Sequence, residues 1–256
     1  MRTLRALARP SIAFLLFACV AHPLRAQQTP RMPADTVDPA AAAADAQMSG
    51  MPGMGHDDHT GMAADVHMQM TALRPPSPRD SARAAALARE IRTDLAKYRD
   101  VRVAEADGFK PFLPNVPQQV YHFTNRTWAF EETFRFDPAK PTSLLYRHDA
   151  DGSYTLVGAM YTAPRSASES TLDARIPLSV ARWHQHVNWC LPPRGGLARW
   201  NEQRDGTPVF GPRSPIATEA ACSAVGGRFV PHLFDWMVHA NVFASDDPKI
   251  VWGHVD

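Results

Sequence analysis

The chain has 256 residues, a formal net charge of +1, 45% hydrophobic residues and 23 prolines. That length suffices for one well-cored domain with tails. The near-neutral charge excludes the basic footprint that nucleic acid or an anionic membrane surface requires, and the proline content favours many turns over long regular elements.

Arg2, Arg5 and Arg9 precede an apolar run from Ser11 to Ala21, and Leu24-Arg25-Ala26 offers a small residue before a cleavage point. This is the layout of a signal peptide over residues 1–26, which directs the mature chain to the periplasm or the exterior. The run is too short to span a bilayer, and no other stretch approaches the required length. Leu16-Phe17-Ala18-Cys19 also forms an imperfect lipoprotein box, so a lipid anchor at Cys19 is the alternative to a soluble mature form.

Residues 27–78 contain no aromatic side chain and carry an alanine run flanked by Pro and Asp, a composition that predicts a disordered tail. Within it, Met48, Met51, Met54, Met62, Met68 and Met70 alternate with His56, His59 and His67. Methionine in a polar, Gly-rich tail has no core to fill. Thioethers are good ligands for Cu(I), while imidazoles and carboxylates add capacity for Cu(II). The tail resembles the Met/His-rich segments of periplasmic copper-handling proteins, and the resemblance implies copper binding there.

Residues 79–256 are expected to form a single α+β domain. Asp80 or Ser81 caps a helix, and Ala84, Leu87, Ala88, Ile91, Leu95 and Tyr98 recur at helical spacing to about Ala106, where Gly108 ends it. Short strands follow at Val120–Asn125 and across a hairpin from Ser143–His148 to Tyr154–Thr162, turned by Asp151-Gly152. Trp128–Phe136 reads as helix or strand, and Ala217–Val225 as a short helix. One amphipathic helix before many short strands predicts that the helix packs on a mainly antiparallel sheet, sandwich or open barrel.

Two stretches carry the chemistry. In Trp183-His184-Gln185-His186-Val187-Asn188-Trp189-Cys190, an extended backbone puts His184, His186, Asn188 and Cys190 on one face. Trp236-Met237-Val238-His239-Ala240-Asn241-Val242-Phe243 repeats the pattern, with Met237 and His239 in the matching places. The expected metal set is His184, His186 and His239, completed by Met237, His122 or His232, with Asn188 and Asn241 orienting the rings. Copper suits imidazole with thioether; zinc or another transition metal suits imidazole alone. Cys190 and Cys222 are expected to pair as a disulfide in an oxidising compartment, with metal ligation by Cys190 as the alternative.

The segments Ala106-Asp107-Gly108-Phe109, Tyr121-His122-Phe123-Thr124-Asn125, Pro141 to Tyr146, Leu156 to Tyr161 and the two Trp/His/Asn strands resemble those of an uncharacterised family of exported bacterial proteins. The resemblance covers most of residues 80–253 and implies export, but it supplies no activity and no catalytic residue. The expected function is binding of copper for storage, delivery or detoxification, with the metal ion as partner. A metal-dependent hydrolase or oxidase at the same histidines, or a non-catalytic ligand-binding or structural module, are the alternatives. The sequence contains no Gly-x-Ser-x-Gly, no His-Glu-x-x-His and no phosphate-cradling loop.

Overall fold

A computed structural model describes residues 66–253, apart from 113, 115–117 and 119. The expected signal peptide, the lipoprotein box with Cys19, and the tail through residue 65, including Met48, Met51, Met54, His56, His59 and Met62, lie outside the described residues. The described part mixes helices with antiparallel sheet, an α+β arrangement.

The tail does not run to residue 78. Its last part is strand β1 (Met68–Met70), which pairs with β6 (His184–Leu191) in the register Met68↔His186 and Met70↔His184. Composition predicted disorder because this segment lacks aromatic residues. Ordering comes instead from hydrogen bonds: Val187 N donates to His67 O (2.8 Å), Thr71 N to Trp183 O (2.8 Å) and Arg74 N to Leu178 O (2.9 Å).

Helix α1 (Pro78–Asp94) starts at Ser77, whose hydroxyl accepts from Asp80 N, with Pro at the first helical position. The single helix expected to residue 106 breaks after Leu95. A 3-10 turn over Ala96–Arg99 follows, then α2 (Val101–Ala106), capped by the Asp100 carboxylate accepting from Arg102 N. The tighter turn keeps both Leu95 and Tyr98 fully buried. Gly108, at φ 93°, then turns the chain into β2 (Lys110–Pro111).

Beyond it run β3 (Val120–Thr124), α3 (Arg126–Phe134), β4 (Ser143–His148), β5 (Tyr154–Ala163) and α4 (Glu169–Arg175). Helix α3 settles the ambiguous Trp128–Phe136 stretch: Asn125 Oδ1 accepts from Thr127 N and Trp128 N and nucleates a helix. After β6 come the small hairpin β7 (Gln203–Arg204) and β8 (Thr207–Pro208), α5 (Glu219–Ala224), β9 (Arg228–His232), β10 (Trp236–Ala240) and α6 (Pro248–Val251). The main sheet runs in the order β1-β6-β10-β5-β4-β3-β2, antiparallel throughout, and β9 pairs with the second half of β6. Asn188, at φ 59°, interrupts β6 between the half facing β1 and β10 and the half facing β9.

The two faces differ in content. On one, Tyr146, Tyr161, Trp183 and Val238 share a buried cluster with Ala84, Leu87, Ala88 and Ile91 of α1. Each large aromatic buried there contributes roughly 2–3 kcal/mol by removal from water. Trp183 and Trp236 are therefore core residues rather than the lining of a binding groove. The opposite face carries Leu145, Met160 and Met237 together with the histidines of interest.

The disulfide forms: Cys190 and Cys222 are bonded, with Cα atoms 5.4 Å apart. It ties β6 to α5 and removes Cys190 from any ligand set. No helix among the described residues is long and apolar enough to cross a membrane.

Candidate functional site

Antiparallel register assembles the histidines. Met237 stands opposite His184, and directly opposed residues project from the same face. His186 and His239 lie two residues further along their strands and so share that face. His122 joins through its pairing with Leu145, which pairs in turn with Gly158.

Three inter-strand spacings separate β3 from β10, roughly 14 Å in a flat sheet. Yet the His122 and His239 ring centres are 5.8 Å apart. The sheet therefore curls over this face and turns the rings towards a common space.

The rings form a row. His239 and His184 are 5.4 Å apart centre to centre, and His184 and His186 are 5.6 Å apart. His184, His186 and His239 are only 2%, 3% and 5% exposed. A ring whose nitrogen sits ~2 Å from a metal has its centre about 3 Å from it, so two rings at a tetrahedral angle are about 5 Å apart. The observed spacings fall close to that value. As the side chains stand, however, no group of three or more His, Cys, Asp or Glu residues among the described residues is disposed to hold a metal ion. The rings are gathered without their donor atoms converging.

The remaining expected ligands divide by face and by partner. His232 pairs with Val187, which projects opposite to His184 and His186, so it stands on the other side of the sheet. His67 is 2% exposed and its Nε2 donates to the Ser214 carbonyl at 2.5 Å, which gives that ring a structural post. Met68 and Met70, by contrast, reach the site through β1, opposite His186 and His184.

The asparagines expected to orient the rings are used elsewhere. Asn188 Nδ2 donates to Val66 O, and Asn241 Nδ2 to Ile250 O and Gly253 O.

Sequence reasoning passed over Met160. It pairs with His239, is 8% exposed, and belongs with Met237 to one apolar cluster. The signal was present in Gly158-Ala159-Met160, where strand alternation from Gly158 puts Met160 on the histidine face.

A buried carboxyl, Glu132, lies elsewhere in the fold. As a strand pair, Glu131 and Glu132 would face opposite ways; on α3 they diverge around a helix. Glu131 accepts from Lys140 Nζ at 2.8 Å at the surface. Glu132 is 1% exposed, its Oε2 accepts from the Thr142 hydroxyl at 2.5 Å and from the Thr162 hydroxyl at 3.3 Å, and its Oε1 has no hydrogen-bond partner. Burial pushes its carboxyl up to about 7, partly offset by those hydroxyls, the Thr162 backbone and the Arg175 guanidinium. A cavity of about 270 Å³ lies beside it, lined by Trp128, Phe134, Arg135, Asp137 and Lys140. Glu131 and Glu132 also line it, and no histidine does.

Compared with family models, with curated proteins and with solved structures, the chain finds no match in any of the three.

Proposed function

We propose that this chain binds a transition-metal ion, copper foremost, outside the cytoplasm, for storage, delivery or detoxification. The observation that carries the reading is the row of imidazoles with ring centres 5.4 to 5.8 Å apart, three of them nearly excluded from water. Neighbouring imidazoles suit zinc, copper or nickel. Binding requires the rings to turn about their side-chain bonds until their nitrogens converge, a rotamer change of the kind common on ligand binding. His184, His186 and His239 are the expected holders, with His122 at the end of the row and Met237 beside His184. The Met/His-rich tail, which leads directly into β1, captures metal and passes it to the folded domain. The Cys190–Cys222 disulfide suits an oxidising compartment and supports the extracytoplasmic placement.

Metal analysis of the purified protein tests the reading. It is measured beside a form lacking residues 27–65 and a His184→Ala/His186→Ala form. The full chain should retain copper or zinc after dialysis, the shortened form should retain less, and the double substitution should abolish the domain's share. Metal content at background in all three forms refutes the proposal.

A further inference from the structure

Each histidine at the centre of the row faces a methionine across the sheet. Met70, His184 and Met237 form one cross-strand row over β1, β6 and β10; Met68 stands opposite His186, and Met160 opposite His239. Directly opposed residues have Cβ atoms about 5 Å apart, which brings an unbranched, flexible thioether within reach of an ion held by the neighbouring ring. The sulfurs flank the imidazoles on both sides. Met160 and Met237 pack with Leu145 on the β5 and β10 side, while Met68, with Met70 against it, packs with Trp189, Leu191 and Trp200 on the other.

We infer that the metal site is a mixed imidazole–thioether site of four donors, two histidine rings with one sulfur from the Met68/Met70 pair and one from the Met160/Met237 pair, and that it selects Cu(I) over Zn(II). The inference rests on the proposed metal-binding function and names the ion and the ligands.

Two physical arguments support it. The opposed methionines stand beside the histidine rings on both sides, so two rings that turn towards one ion have thioether sulfurs at hand to complete its coordination. Zinc in structural sites takes four N, O or S⁻ ligands, whereas Cu(I) is the first-row ion that accepts neutral thioether sulfur readily. The apolar cluster around Met160 and Met237, with Val120, Val157 and Phe234 packed against it, also favours an ion of low charge.

The same geometry joins two features that the sequence presented as separate. Met68 and Met70 belong to the tail's run of ligands, yet through β1 they are part of the domain's site. The edge strand thus completes the coordination sphere.

Competition titrations against chromophoric Cu(I) and Zn(II) chelators test this. The full-length chain is used with Met48, Met51, Met54 and Met62 changed to Leu, so that the tail adds no thioether. On that background, Met68→Leu/Met70→Leu and Met160→Leu/Met237→Leu should each weaken Cu(I) binding at least about tenfold and alter Zn(II) binding less than about threefold, because leucine conserves volume but removes the soft donor. X-ray absorption at the copper edge should show sulfur neighbours that diminish in both variants, and thermal melts confirm that each variant folds. Cu(I) affinity unchanged in both variants, or equal losses for Cu(I) and Zn(II), overturns the thioether site while leaving metal binding standing. Absence of Cu(I) binding in the starting chain overturns the thioether site, and absence of Cu(I) and Zn(II) binding in the unsubstituted chain as well overturns both readings.

Discussion

Replacing Glu132 by Gln should stabilise the protein at alkaline pH and leave it nearly unchanged in acid. The carboxyl is 1% exposed, one of its oxygens has no partner, and burial raises it from 4.5 to about 7. Between those two values the folded chain holds a proton that the unfolded chain releases. The favourable contribution is therefore fully present below about pH 4.5 and is lost as pH rises through about 7. The full swing corresponds to about 3 kcal/mol. Glutamine keeps the shape and carries no charge, so its stability should not follow this curve. Thermal melts of both proteins at pH 5, 7 and 9 are the assay. The variant should melt close to wild type at pH 5 and roughly 5–10 °C higher at pH 9, the conversion expected for a folded domain of this size. Other titrating groups cancel in the difference between the two proteins. A difference that stays constant from pH 5 to pH 9 would refute the reasoning, because it would mean that Glu132 is not the proton-binding group.

The disulfide closes a loop with a sequence separation of 32 residues, so reduction should lower stability by about 4 kcal/mol on the chain-entropy argument, read as a lowered denaturation midpoint with reductant present. Gly227 lies against that bond: a Cβ there would sit 2.6 Å and 2.8 Å from the two sulfurs and 2.9 Å from the Phe210 ring. Gly227→Ala should therefore destabilise by about 1–3 kcal/mol, and an unchanged midpoint would show that the backbone yields freely. Asn125→Ala removes the cap of α3 together with the bond to Asp107 O, and should lower stability by about 1–2 kcal/mol in urea titrations.

How far the sequence could be read follows from which forces are local. The Asp151-Gly152 hairpin, the helix through Cys222 and the disulfide were legible because turn chemistry, capping and the pairing of two cysteines act over short distances or leave few choices. The adjacency of the two Trp/His strands was legible from their repeated pattern, and β6 and β10 are indeed neighbours. The curl that brings His122 to His239 was not, because it depends on how strands distant in sequence stack their twist. Strand β1 was missed for the opposite reason. Its three residues have little intrinsic β preference, and only the exposed edge of β6 makes them a strand. The role of Asn188 was misread because period-two alternation assumes an unbroken strand, and its left-handed backbone breaks β6 at that residue.

Strand β1 also bears on where a shortened chain can start. Cutting the chain at residue 79, where composition places the boundary, would strip β6 of its neighbour and leave the backbone groups around His184 to Val187 as an open template. An uncovered edge of that kind recruits strands from other molecules. A chain started at 79 should associate through that edge more than one started at 66, whose outer strand has only 3 residues. The three residues of β1 thus cover the edge of β6 from His184 to His186.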